Sequence, residues 1–280
     1  VGNEACGTVV EAGSSPEAQA LLGKRVALFG GEMYADYRTV SMFQCIPLPD
    51  ATASEDGASC FVNPMTALGF VETMKMEGHK AIVHTAAASN LGQMLNRICL
   101  SDGVPLVNIV RSEDQVALLK AEGAVHVVNS SDADFSNQLA AAVNATGATL
   151  AFDAIGGGKL GNAILMAMEA AAVKRMSDWS RYGSNEFKQL YIYGALDLAP
   201  TSLNRGYGFS WGMGGWLLTP FMVKAGREVV DRMQARVVAE LTSTFASSYS
   251  DRISLVESVT PSAGAKYGVR RTGQKALITF

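Results

Sequence analysis

Two hydrophobic rhythms divide the chain. Over residues 1–60 apolar positions come in short runs joined by Gly and Pro turns. Gly7–Gly13, Arg25–Gly30 and, with rough alternation, Tyr34–Val40 read as strands, and Pro47-Leu-Pro49 closes this part. Asn63–Glu77 has helical spacing and opens at Pro64, a residue tolerated in a first turn. From Lys80 short apolar runs alternate with helical stretches. Strands are expected at Ala81–His84, Pro105–Val110, Val125–Val128, Thr149–Asp153 and Gln189–Tyr193. Helices are expected at Leu91–Leu100, Glu113–Glu122, Phe135–Asn144 and from Gly158 to about Ala172. That alternation predicts an α/β fold with a doubly wound parallel sheet covered on both faces.

Three segments fall outside the rhythm. Residues 174–188 form a polar insertion with Trp179 and Tyr182, and residues 205–218 are rich in Gly and aromatics. Leu217–Phe245 reads as one long amphipathic helix or two in succession, and Lys275–Phe280 as a final strand.

Composition narrows the function classes. The chain of 280 residues is 48% hydrophobic and 18% charged, enough to bury a sizeable core. A net charge of -3 without a basic stripe argues against nucleic acid, and no apolar run is long enough to span a membrane. Cys6, Cys45, Cys60 and Cys99 fit no zinc-ribbon spacing and read as buried thiols of a reducing, cytoplasmic compartment. The chain starts at Val1 with what reads as mid-domain sequence, so the true N-terminus is expected upstream.

The turn after the first alternating strand, Thr85-Ala-Ala-Ala-Ser-Asn-Leu-Gly92, carries the chemistry. In a doubly wound sheet this turn holds a dinucleotide pyrophosphate against a helix N-terminus. Small side chains let the backbone approach phosphate, which makes Ala88, Ser89, Asn90 and Leu91 candidate contacts. Asn90 stands where Gly is usual and tolerates a left-handed backbone. The alternative is a small-residue turn of any βαβ unit. The second strand ends in Arg111-Ser112, not in the Asp or Glu that grips a ribose 2′-hydroxyl. A guanidinium suits a 2′-phosphate, so NADPH is the expected cofactor. The alternative is a solvated surface arginine. Ile155, after Phe152-Asp153, and Tyr193-Gly194-Ala195 end later strands where adenosine and nicotinamide would pass, or are ordinary turns. Asp153 is expected to orient backbone, and His84 to pack at a strand end.

Gly2-Asn-Glu-Ala-Cys-Gly-Thr-Val-Val-Glu-Ala-Gly13, Gly23-Lys-Arg-Val26 with Tyr34-Ala-Asp-Tyr37, Asn63-Pro-Met-Thr-Ala67, Phe152-Asp-Ala-Ile-Gly-Gly157 and Gly273-Gln-Lys-Ala-Leu-Ile278 resemble, in order, motifs of the medium-chain dehydrogenase/reductase superfamily. The resemblance implies a Rossmann domain at 64–248 and a partial GroES-like β-rich catalytic domain at 1–63 and 249–280, incomplete at its front. Asn3 and Asn63 stand where zinc-dependent relatives carry His and Cys ligands, so no metal is expected. The zinc-free branch implied is that of quinone oxidoreductases and 2-enoyl thioester reductases.

The expected reaction is hydride transfer from NADPH to a quinone or another α,β-unsaturated carbonyl. The alternatives are a 2-enoyl thioester reductase and a non-catalytic NADPH-binding sensor or structural protein. By resemblance Asn63 and Thr66 sit beside the nicotinamide at the interdomain cleft. Asn63 would position substrate or carboxamide, unless it merely caps its helix. The proton donor is expected ahead of Val1. Gly206–Leu218, with Tyr207, Phe209, Trp211 and Trp216, is expected to form a homodimer contact, with a plain core cluster as the alternative.

Overall fold

The computed structural model describes residues 2–268, 272–273 and 275–280. In chain order the elements are β1 (Glu4–Thr8), α1 (Pro16–Gln19), β2 (Arg25–Phe29), β3 (Cys45–Pro47), α2 (Ser54–Gly57), α3 (Val62–Met76), β4 (Ile82–His84), α4 (Asn90–Asp102), β5 (Leu106–Val110), α5 (Glu113–Ala121), β6 (His126–Asn129), α6 (Phe135–Thr146) and β7 (Leu150–Asp153). They continue with β8 (Gly156–Gly158), α7 (Leu160–Lys174), β9 (Lys188–Ile192), β10 (Asp197–Thr201), β11 (Trp211–Gly215), α8 (Leu218–Ala225), α9 (Arg227–Ala239), β12 (Asp251–Ser254), α10 (Leu255–Ser258), α11 (Pro261–Gly268) and β13 (Ala276–Thr279). The chain divides into two compact units, Val1–Thr66 with Ala225–Phe280 and Ala67–Lys224.

The larger unit holds a six-stranded sheet in the order β11-β9-β7-β4-β5-β6, with every neighbouring pair parallel. This is the doubly wound order, with its reversal between β4 and β7. Successive strand residues point to opposite faces. Val83, Val107, Ile109, Ala151 and Leu190 pack with Leu139 and Val143 of α6 and Ile164, Leu165 and Met168 of α7. On the other face Phe152 stacks on Phe70 of α3 with centroids 3.9 Å apart, and Asn108 bonds Asn96 of α4. β8 pairs with β10 in a separate parallel pair.

The smaller unit contains the antiparallel sheet β1-β2-β3 and the parallel pair β12-β13. Phe29 stacks on Phe61 at 3.7 Å. Tyr249 donates its hydroxyl to the Glu55 carbonyl at 3.0 Å. A cavity of about 620 Å³ opens here, lined among others by Glu4, Cys6, Tyr34, Tyr249 and Lys275.

Several expectations are corrected. Tyr34–Val40 is irregular. Its alternation finds no strand partner, Tyr37 is exposed, and Arg38 turns back to the Gly31 carbonyl. β1 stops at Thr8, short of Gly13. β8, β10 and β12 were not foreseen as strands. The Gly-rich run Trp211–Gly215 has poor β propensity and is extended because β9 holds it in parallel register, from Trp211 opposite Lys188 to Gly215 opposite Ile192. Of the two readings of Leu217–Phe245, two helices in succession holds, with the break at Gly226, whose φ is 82°. Cys60 and Cys99 are buried, whereas Cys6 and Cys45 are half-buried. Gln274 of the closing motif lies outside the described residues.

The insertion at 174–188 is anchored by charge. Lys188 is 0% exposed. Its Nζ lies 2.6 Å from Glu169 Oε2 on α7 and donates to Ser184 Oγ at 2.9 Å and the Glu186 carbonyl at 2.6 Å. Glu169 also accepts from the Ser184 amide and hydroxyl at 2.7 and 2.6 Å. Burial pushes the Glu169 carboxyl up, but the donors from Lys188 and Ser184 outweigh it and hold the pKa below the ordinary value. Removing one partner strands the other charge without water. Lys188→Met is expected to cost about 3–5 kcal/mol in urea unfolding, and adding Glu169→Leu to recover most of that. Equal losses in single and double variants would contradict this account.

Candidate functional site

The site builds outward from the reversal between β4 and β7. Both strands end there, and the residues that follow them are tied together. Asp153, 1% exposed, accepts the Thr85 hydroxyl at 2.7 Å, the Ile155 amide at 2.9 Å and the Gly156 amide at 3.2 Å. Thr85 Oγ1 accepts the Ala154 amide at 2.8 Å. Asp153 thus orients backbone, as expected from its place in the sequence.

The turn between β4 and α4 is closed by its own backbone. Ala87 donates to the Ile109 carbonyl at 3.1 Å, and Ser89 donates to the Ala86 carbonyl at 2.9 Å. The left-handed residue is Ala86, with φ 50°, and not Asn90, which is the first residue of α4. Asn90 takes helical geometry because Ser89 occupies the cap, its hydroxyl accepting the Gly92 amide at 3.1 Å. Gly92 is required: a Cβ there would lie 2.1 Å from the Ala87 carbonyl oxygen. A closed turn of this kind, ending at a helix N-terminus, fits a pyrophosphate. Ala88, 1% exposed, packs with Val110 and Leu119. Leu91, 9% exposed, brings its amide to the first turn of α4.

Arg111 and Ser112 follow β5. The Arg111 amide donates to Gln115 Oε1 at 3.0 Å and its carbonyl accepts Ser131 Oγ at 3.0 Å. Its side chain is exposed, and Ser112 holds the cap position of α5 without using its hydroxyl there. Neither the guanidinium nor that hydroxyl has a hydrogen bond among the described residues.

After β7 and β9, Ile155 and Tyr193-Gly194-Ala195 come close together. A Cβ on Gly194 would lie 2.6 Å from the Ala154 carbonyl oxygen, and the Asp197 amide reaches the Ile155 carbonyl at 2.9 Å. Tyr193 turns its ring inward. Its hydroxyl meets His84 Nε2 at 2.7 Å, and the ring lies edge-on to Phe70 at 4.8 Å. Burial, and then the Asp153 charge, push the Tyr193 hydroxyl far above its ordinary range. Only the backbone of Tyr193 is left for a ligand. All the residues after β4, β5, β7 and β9 therefore lie along one edge of the sheet, at the carboxyl ends of its strands.

Asn63 and Thr66 belong to the smaller unit. Asn63 is the second residue of α3, half-buried, and its carboxamide has no hydrogen bond among the described residues. It does not cap the helix. Glu4 does, its Oε2 accepting the Phe61 and Val62 amides at 3.2 and 2.8 Å. Burial pushes the Glu4 carboxyl up, against the pull of those amides and of Lys275. Sequence reading missed this cap because the carboxylate arrives from 57 residues away. Thr66 is buried, 7% exposed. Among the described residues no three His, Cys, Asp or Glu side chains converge as a metal site would need, and no helix is long and apolar enough to cross a membrane.

No family model matches the chain. It is similar to a candidate NADPH:quinone reductase of Mesorhizobium loti, with 29% identity, a TM-score of 0.82 and coverage of 99% of this chain and 77% of that one. A mycobacterial protein solved with NADPH shares the fold, with a TM-score of 0.77 and 20% identity over 100% of this chain and 82% of that one. Among curated proteins, the mitochondrial enoyl-[acyl-carrier-protein] reductase of Caenorhabditis elegans is 26% identical over 133 residues, 45% of this chain and 38% of that protein. The chain matches between 6% and 38% of the length of its curated relatives.

His84 supplies a pH test. Burial alone pushes its pKa down from 6.5 to about 3. The folded state therefore binds fewer protons than the unfolded chain between those values. Its contribution is complete above 6.5 and is lost as pH falls, at about 1.4 kcal/mol per pH unit. Below pH 6.5, His84→Asn is expected to show a shallower fall in urea stability than the parent chain. Parallel curves would exclude the assignment.

Proposed function

We propose that the chain is a medium-chain dehydrogenase/reductase, a reading its fold and sequence likeness support, and that it is an NADPH-dependent oxidoreductase delivering hydride to a quinone or another α,β-unsaturated carbonyl without a metal. The observation that carries the cofactor reading is the uncommitted pair Arg111 and Ser112 at the end of β5, where an acidic residue would select NADH. The guanidinium and hydroxyl hold the 2′-phosphate. The Leu91 amide and the closed turn of Ala88, Ser89 and Asn90 receive the pyrophosphate at the start of α4. Ile155 and the backbone of Tyr193, Gly194 and Ala195 border the rest of the dinucleotide. When bound, reduced nicotinamide supplies the hydride. Asn63, with its unengaged carboxamide, is our choice for positioning the substrate carbonyl or the nicotinamide amide, with Thr66 on the next turn of the same helix. The metal-free reading rests on Asn3 and Asn63, which replace the ligands of zinc-dependent relatives.

A 2-enoyl thioester is the second substrate reading, favoured by the likeness to the nematode enoyl reductase. A turnover panel of 1,4-benzoquinone, 9,10-phenanthrenequinone and crotonyl thioester with NADPH separates the two. Quinone turnover is expected, whereas turnover of the thioester alone would transfer the assignment. Arg111→Gln is expected to weaken NADPH binding by roughly ten- to a hundredfold and leave NADH binding unchanged. Equal NADH and NADPH affinity in the parent chain would remove the cofactor reading.

We also place the protein in the cytoplasm and infer a homodimer through Gly206–Leu218. β11 is the last strand of the sheet on its side, and Phe209 and Leu217 near it are 86% and 65% exposed. Analytical ultracentrifugation is expected to give twice the 29.6 kDa chain mass. A single species at the chain mass would count against the dimer.

A further inference from the structure

The ends of β5 and β6 are knit together around one amide side chain. Asn129, the last residue of β6, is 8% exposed. Its Nδ2 donates to Glu113 Oε1 on the first turn of α5 at 2.7 Å, and its Oδ1 accepts the Ser131 amide at 3.0 Å. Ser131 in turn donates its hydroxyl to the Arg111 carbonyl at 3.0 Å. One carboxamide thus joins Glu113 of α5 to Ser131, which holds the Arg111 carbonyl. Glu113 stands two residues beyond Arg111, close enough in the chain for its carboxylate to compete for the guanidinium or to repel a phosphate. In the observed arrangement no ion pair joins it to Arg111 among the described residues, and a buried amide holds it.

We propose that Asn129 is a positioning residue for cofactor selectivity. It sequesters the Glu113 carboxylate and so leaves Arg111 free for the 2′-phosphate of NADPH. The inference rests on the NADPH reading given above and adds a determinant that touches no part of the cofactor. A like charge released near a dianionic phosphate costs binding energy that falls with ionic strength, and NADH, lacking that phosphate, does not meet it. Selectivity is therefore the quantity Asn129 controls.

The test is calorimetric titration of the whole chain with NADPH and NADH at low and high salt. Asn129→Leu is expected to weaken NADPH roughly five- to tenfold at low salt, with a smaller effect at high salt and unchanged NADH affinity. Adding Glu113→Gln to Asn129→Leu is expected to restore NADPH binding, because the competing charge is then gone. Asn129→Ala, which removes both bonds without adding bulk at the strand end, provides the same comparison if the leucine variant does not fold. Equal losses for both cofactors, or no rescue by Glu113→Gln, would overturn the proposal and leave the NADPH reading standing. A parent chain without preference for NADPH would overturn both.

Discussion

The larger unit depends on one buried carboxylate. Among the described residues no cation pairs with Asp153, and its oxygens are satisfied by the Thr85 hydroxyl and the amides of Ile155 and Gly156. A buried charge is tolerable only when its lone pairs are met by fixed donors. Those donors come from two strands that part company at this point, β4 turning toward α4 and β7 toward β8. The same bonds that hold the carboxylate hold the two turns at a set separation. A crevice at the carboxyl ends of a parallel sheet follows from the topology. Its dimensions follow from Asp153.

Much of the fold was legible because parallel strands buried on both faces must be short, apolar and separated by helices. β4, β5, β6, β7 and β9 were readable for that reason, and so were the turn at Thr85–Gly92 and the basic end of β5. The unreadable parts share a cause. β11 and β10 are extended because a neighbour extends them, and Gly212, Gly214 and Gly215 carry no local preference for it. Tyr34–Val40 is the converse, an alternating pattern with no neighbour to pair with. At the site the same limit holds. The left-handed residue fell at Ala86 instead of Asn90 because the cap at Ser89 drew Asn90 into the helix. The role of Glu4 at the start of α3, and of Asn129 beside Glu113, depends on long-range placement that no spacing rule reports.

The two ends of this sheet edge, the one proposed for the dinucleotide, are built on different terms. At β4 and β7 the groups are fixed: side chains are small or buried, and the backbone presents itself through closed turns. At β5 the groups are unengaged: the Arg111 guanidinium is exposed, and neither it nor the Ser112 hydroxyl has a hydrogen bond among the described residues. The first arrangement suits a part common to all dinucleotides, and the second suits the part by which they differ.

Lys188 has a consequence for how the sheet assembles. It is the first residue of β9, and strand side chains alternate between faces, so sliding β9 by one position would exchange Lys188 with Gln189. The ammonium would then sit on the face opposite Glu169, stripped of water and without a counter-ion, while the carboxylate lost its own. Apolar residues in that strand tolerate such a slip far better. An ion pair that adds little net stability can therefore act as a key, admitting one alignment of β9 and rejecting its neighbours.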